Sequence, residues 1–272
     1  MSGADAAAGA PARPYRLIRV APVADGVARI ALDNPARRNA IGVRMVTELH
    51  YALSDACGDA AVRSIVLTGE GAGFCAGGDF QQMAGGGADA DELPPKGDYA
   101  DLLLAMVRAP KPIVARVNGH AMGGGLGLVA ASHFAVGVLE AKLGTPEIDV
   151  GLFPMMIMAV LRRVVPQRRL LEMMLFGEKL GAEEAVRVGI LNRAVPAAEL
   201  DAAVAEITGK LGQKSPVALR LGLEAFAAQE DLELERALPL LRERLGACFA
   251  TEDFAEGIAA FLQKRPPVWK GR

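Results

Sequence analysis

The strongest constraint on this fold is a repeated order of short apolar runs, glycine clusters and helix-patterned segments. SIVLTG (64–69) and PIVARVNG (112–119) are short, mainly apolar runs, each followed directly by glycine-rich sequence. Runs of this length read as strands buried on both faces, the habit of parallel sheets. HFAVGV (133–138) reads as a third. From 43 to 57, Val46, Leu49, Leu53 and Ala56 recur at helical spacing while Glu48 and Asp55 fall between them. Further helical turns are expected over 99–108 and 126–131. Strands alternating with helices argue for parallel pairing through crossover helices, an α/β fold. Ahead of them, YRLIRV (15–20) and VARIALD (27–33) flank Asp25-Gly26, a hairpin signal.

Beyond residue 154 the pattern is mainly helical. Helices are expected over 155–164, 167–176, 182–188, 198–211, 216–228, 231–249 and 252–264, with a short strand near 191–194. Residues 1–14, rich in Ala, Gly and Pro, read as a disordered tail with no charged and apolar halves of a signal peptide. This divides the chain into that tail, a core over 15–195 and a helical region over 196–272. GGGADADELPPKGD (85–98) lacks the composition of a core element. It reads either as a mobile loop beside a pocket or as a plain surface insertion.

Composition narrows the function. With 272 residues, 51% hydrophobic and 23% charged, a sizeable core is available. A formal net charge of −2 lacks the basic excess of a nucleic-acid binder. Pairs such as Arg37-Arg38, Arg162-Arg163 and Arg168-Arg169 read as solvated surface charge or local phosphate contacts. Apolar stretches are interrupted before they reach membrane-spanning length. Three cysteines, Cys57, Cys75 and Cys248, show no CxxC spacing, which fits a reducing cytoplasm and supports neither a disulfide framework nor a zinc site.

The glycine clusters carry the chemistry. GAGFCAGGD (71–79) and NGHAMGGGLG (118–127) follow buried strands, where open α/β sheets place ligands. Glycine lets backbone approach a ligand closely. Two such loops can aim N–H groups at one point, as an oxyanion hole does for a thioester carbonyl. The other reading is tight turns and close helix packing. Residues 125–130 also match the dinucleotide pattern GxGxxA, but five residues separate the match from the strand end, which argues against that assignment.

From about Tyr15 to Lys264 the sequence resembles the enoyl-CoA hydratase/isomerase (crotonase) family. The matching pieces occur in family order: ARRNAIG (36–42), SIVLTGEGAGFCAGGDF (64–80), KPIVARVNGHAMGGGLGL (111–128), TPEIDVGLFP (145–154) and GEKLGAEEAVRVGILNRAVP (177–196). The resemblance implies a crotonase-like spiral of ββα turns and a C-terminal helical trimerisation region, giving a homotrimer or a hexamer of paired trimers. It implies an oxyanion hole from the N–H groups of Ala76 and Gly124, with the helix near Gly124 adding its dipole. It places coenzyme A along Arg38, Ala40, Ala76, Gly77, Gly78 and Asp79, with Phe261 and Lys264 either reaching the nucleotide from a neighbouring subunit or serving, respectively, ordinary helix packing and a solvent-facing charge. Asp79 also reads as a cap for the following turn. No cofactor is implied beyond the coenzyme A of the substrate.

Hydratases of the family use two glutamates. One is Glu147 here, in Thr145-Pro146-Glu147-Ile148-Asp149; the other position holds Gly127. Two carboxylates hold and activate a water, whereas one suffices to move a proton in Δ3→Δ2 isomerisation. Pro154 is followed by Met155-Met156-Ile157-Met158 where typical hydratases are glycine-rich, predicting a drier, narrower pocket. Glu147 is therefore expected to be a desolvated general base favouring isomerisation. The alternatives are a one-glutamate hydratase and a non-catalytic acyl-CoA-binding homologue. Asp149, in an extended segment, would share a face with Glu147 and either assist it or cap the next turn. Cys75 is expected to be a packed side chain, since no base is tied to it. His120 is expected to be structural, and the methionines at 155–158, 173 and 174 to line core or acyl pocket.

Overall fold

The computed structural model describes residues 13–79 and 93–272. All but two residues of the expected N-terminal tail, and residues 85–92 of the expected loop, lie outside the described residues. Strand β1 (Ile18–Ala24) pairs antiparallel with β2 (Val27–Leu32). Their turn has Asp25 at φ 51° and Gly26 at φ 74°, the left-handed pair that a two-residue hairpin needs. β1 starts later than the alternation predicts. The backbone N–H groups of Arg16, Leu17 and Ile18 donate instead to the Glu48 carboxylate, at 2.9, 2.8 and 3.1 Å. Glu48, expected on the polar side of its helix, is thus fully buried and also pairs with Arg44 at 2.9 Å.

Helix α1 (Val43–Gly58) leads to β3 (Ser64–Gly69), which lies parallel to β2 from Val27 against Ser64 to Leu32 against Gly69. All six β3 residues are buried, Ser64 and Thr68 included, as the mainly apolar run predicts. Helix α2 (Tyr99–Val107) precedes β4 (Ile113–Val117), again parallel. Then follow β5 (Ala121–Met122), α3 (Gly124–Ala130), β6 (Phe134–Val138) and β7 (Lys142–Gly144). The second half holds α4 (Met155–Leu161), α5 (Gln167–Phe176), β8 (Lys179–Gly181), α6 (Ala182–Arg187) and β9 (Arg193–Val195). Four helices close the chain: α7 (Leu200–Gly212), α8 (Pro216–Gln229), α9 (Leu234–Phe249) and α10 (Glu252–Gln263).

The main sheet runs β1-β2-β3-β4-β6-β9 and is parallel from β2 onward. A second sheet, β5-β7-β8, was not anticipated, since strands of two or three residues are too short to show alternation. Helix α7 packs on β3, β4 and β6, and its Leu200, Val204 and Ile207 join the core. The expected boundary at 195 therefore cuts through a packed body. Among the described residues no helix is long and apolar enough to cross a membrane.

Candidate active site

The two glycine loops leave the carboxyl ends of β3 and β4 and are laced together. His120 O accepts from Phe74 N and Cys75 N, both at 3.1 Å, and Met122 N donates to Cys75 O at 2.9 Å. Two side-chain amides, buried Asn39 and half-buried Asn118, hold the approach. Asn39, at φ 57°, donates through Nδ2 to Glu70 O, Gly73 O and Phe74 O. Asn118 accepts Gly69 N–H at 3.1 Å and donates to Gly71 O at 3.0 Å. Gly77, at φ +101°, brings its Cα so near the other loop that a Cβ would lie 3.1 Å from Met122 O. The glycines thus serve close backbone approach as well as turns.

Beside this junction lies a cavity of about 540 Å³, within the range of small-molecule sites. Gly78, Asp79, Gly124 and Glu147 line it, together with Tyr99 and the apolar side chains of Ile41, Val46, Leu152, Met155, Met156 and Ile157. The large side chains after Pro154 do therefore wall the pocket. Of the other sequence-derived site residues, Arg38, Ala40, Ala76, Gly77, Phe261 and Lys264 are not among its lining.

Ala76 is displaced from its expected role. Its N–H donates to Arg38 O at 2.9 Å and is not available to a ligand. Gly77 O accepts from Ile41 N at 2.8 Å and Asp79 N donates to Ile41 O at 2.9 Å, so the intervening Gly78 N–H is left outside this ladder. Gly124 is the first residue of α3, whose first-turn N–H groups have no intrahelical acceptor. Among the described residues neither Gly78 N–H nor Gly124 N–H has a protein acceptor. The available pair is Gly78 and Gly124.

Glu147 sits in a 3-10 turn, Pro146–Val150, closed by Gly151 at φ 77°. Thr145 Oγ1 anchors the turn on Met173 O at 2.9 Å. The carboxylate is half-buried, and among the described residues its Oε2 has no hydrogen-bond partner. Desolvation raises its pKa above the usual carboxylate value. Its Oε1 presses on the second glycine loop: a Cβ at Gly123 would fall 2.6 Å from it. Asp149 does not share the cavity. The segment is a tight turn rather than extended, and the Asp149 carboxylate lies 3.0 Å from the point where Gly177, the left-handed end of α5, would carry a Cβ.

Tyr99 is the residue that sequence reasoning missed. It opens α2 behind an Asp98/Asp101 capping box, and its hydroxyl donates to Gly124 O. A Cβ at Gly127 would lie 2.3 Å from the Tyr99 hydroxyl oxygen and 2.4 Å from Ile157 Cγ2. The place where a side chain at 127 would start is thus already filled. Desolvation, with smaller contributions from Cys75 and Glu147, raises the Tyr99 phenol well above its ordinary value. No local pattern marks Tyr99; the only signal was the bare Gly127, which leaves room for something from elsewhere.

Cys75 is buried, its Sγ donates to Asn39 O at 3.0 Å, and burial pushes its thiol up to about 12, which disfavours a thiolate. His120 Nδ1 accepts from Lys142 N at 3.1 Å, a structural contact. Asp79 is buried and pairs with Arg37 at 2.7 Å. Phe261 is 80% exposed, and Lys264 caps α10 in the left-handed region. Among the described residues no group of three or more His, Cys, Asp or Glu is placed to hold a metal ion.

Residues 23–272 match the enoyl-CoA hydratase/isomerase family. A probable enoyl-CoA hydratase of Bacillus subtilis is 36% identical over 90% of this chain and 95% of its own. The crystal structure of an enoyl-CoA hydratase from Mycobacterium smegmatis superposes with a TM-score of 0.86 at 30% identity, covering 93% of this chain and 99% of that one. Human enoyl-CoA hydratase domain-containing protein 3 superposes with a TM-score of 0.85 at 31% identity, covering 93% and 100%.

Proposed function

Since the chain belongs to the enoyl-CoA hydratase/isomerase family, with its crotonase fold, we propose that it moves the double bond of a 3-enoyl-CoA to the 2 position with Glu147 as sole acid and base. The Glu147 carboxylate takes a proton from C2. The electrons of that C–H bond flow toward the thioester oxygen, giving a dienolate. The N–H groups of Gly78 and Gly124 stabilise the oxygen as charge develops. Glu147, now protonated, returns the proton to C4, and the double bond ends between C2 and C3. No atom is gained or lost.

One observation carries this reading: the position of a second carboxylate is a glycine whose side-chain space Tyr99 and Ile157 already occupy. Desolvation of Glu147 supports it further, because a carboxylate with a raised pKa is a better proton shuttle near neutrality. The mainly apolar wall of Val46, Leu152, Met155 and Met156 suits an aliphatic acyl chain. The names of relatives such as the Bacillus subtilis protein support a second reading, water addition to a 2-enoyl-CoA.

Mass spectrometry of products formed in ¹⁸O-labelled water, from separate 2-enoyl-CoA and 3-enoyl-CoA panels, decides between them. Unlabelled 2-enoyl product from the 3-enoyl panel is expected. A labelled 3-hydroxyacyl-CoA as main product from the 2-enoyl panel rejects the isomerase reading. The same proposal includes assembly into trimers or paired trimers. This would cover exposed apolar residues of the last helices, such as Phe249, Phe254 and Leu262, and carry Phe261 and Lys264 toward a neighbour's nucleotide. Sedimentation equilibrium reads the stoichiometry.

A further inference from the structure

We propose that Tyr99 seals this site against solvent: its ring, with the hydroxyl seated where a side chain at 127 would project, keeps water from the proton held by Glu147. The proposal rests on the isomerase reading and deepens it.

The geometry carries it. Tyr99 comes from a different segment than either glycine loop, yet its hydroxyl lies at the Gly127 Cβ position and is bonded to Gly124 O. A Cβ at Gly124 would also meet the ring, with Tyr99 Cζ at 3.6 Å and the hydroxyl at 3.5 Å. The phenol end of Tyr99 therefore lies against α3 at both Gly124 and Gly127, beside the oxyanion donor. Ile157 completes the plug from α4. Glu147 lines the same cavity as Tyr99, and among the described residues its buried Oε2 has no hydrogen-bond partner. Burial keeps the phenol protonated, so the hydroxyl holds its bond to Gly124 O and does not itself take the substrate proton.

The consequence concerns the proton. Between leaving C2 and reaching C4 it resides on Glu147. A water able to reach that carboxylic acid would exchange it. With Tyr99 in place, the hydrogen that arrives at C4 is the substrate's own. With the ring removed, it comes from solvent. Tyr99 neither gains nor loses a proton in the step.

The test is isomerisation of 3-enoyl-CoA by the full chain in D₂O, with deuterium at C4 of the product read by mass spectrometry. The wild-type enzyme is expected to deliver mainly unlabelled product. Tyr99→Ala should raise deuterium at C4 roughly five-fold or more, because solvent enters the vacated volume. Tyr99→Phe, which retains the ring, should stay within about two-fold of the wild type. Affinity for a saturated acyl-CoA, measured calorimetrically, reports whether each variant keeps the site. Should Tyr99→Ala not fold, Ile157→Ala opens the same plug from the other side and is expected to raise labelling in the same direction. Wild-type protein that does not isomerise 3-enoyl-CoA overturns the isomerase reading and this proposal with it. Wild-type isomerisation with equal labelling in the wild type and in the folded alanine variant overturns the role of Tyr99 alone.

Discussion

Glu147→Gln separates catalysis from stability at this site. The change keeps the shape of the side chain and removes its ability to accept a proton. General-base catalysis typically contributes about 10²–10⁴-fold, or roughly 2.7–5.4 kcal/mol at 1.36 kcal/mol per decade. We expect kcat for 3-enoyl-CoA isomerisation to fall by that amount. Stability should move the other way or not at all. Desolvation raises the folded-state pKa of Glu147, and among the described residues its Oε2 has no partner, so the charged form is disfavoured by folding. A raised carboxylate pKa favours the folded state fully below the unfolded value near 4.5. That contribution is lost as pH rises through the folded value, so at neutral pH the charge opposes folding. The neutral amide removes this opposition. Turnover by coupled spectrophotometric assay and thermal unfolding at pH 7.5 are the two readouts. The same linkage places the acidic limb of the kcat/KM profile above the ordinary carboxylate range. Normal turnover in the glutamine variant, or activity lost only in step with unfolding, refutes the reasoning.

Three further outcomes follow from the same contacts. Gly127→Ala drives a methyl into the Tyr99 hydroxyl and Ile157 Cγ2, and overpacking of this kind costs about 1–3 kcal/mol; a urea midpoint equal to wild type contradicts the filled pocket corner. Gly123→Ala forces a side chain onto a residue at φ +49° and against Glu147 Oε1, so kcat should fall at least about ten-fold along with a stability loss of roughly 1 kcal/mol or more; retained kcat means the carboxylate does not depend on that loop. Half-buried His133, whose Nδ1 accepts Ile113 N–H at 3.1 Å, is lowered to about 4 by desolvation. The unfolded chain therefore binds a proton that the folded chain does not. Stability should fall as pH drops from about 6.5 toward 4, by up to roughly 3 kcal/mol, and His133→Asn should flatten that slope.

Hydrophobic periodicity made much of the scaffold legible. The β3 and β4 runs and the α1 stripe report burial directly, because a buried strand needs a continuous apolar run and a half-buried helix needs a stripe. The Asp25-Gly26 hairpin was legible for an equally local reason, the left-handed turn. Glu48 was not. Its sequence neighbourhood marks an exposed position, while its burial depends on the three N–H groups of Arg16, Leu17 and Ile18, distant in the chain. The short strands β5, β7 and β8 escaped because they contain too few residues to show a period.

At the site, the amino-acid order by itself determined that two glycine loops follow buried strands, that Glu147 stands alone without a glutamate at 127, and that bulky apolar residues follow Pro154. Tertiary structure decided which groups can act. The left-handed Gly77 turns the chain so that Ala76 N–H bonds Arg38 O and, among the described residues, Gly78 N–H is left without a protein acceptor. Tight winding of the Pro146–Val150 turn sends Asp149 away from Glu147. Packing of α2 against α3 sets Tyr99 in the space that Gly127 leaves bare. A glycine in a sequence records only that a side chain is absent; what fills the space is set by segments that meet it through folding.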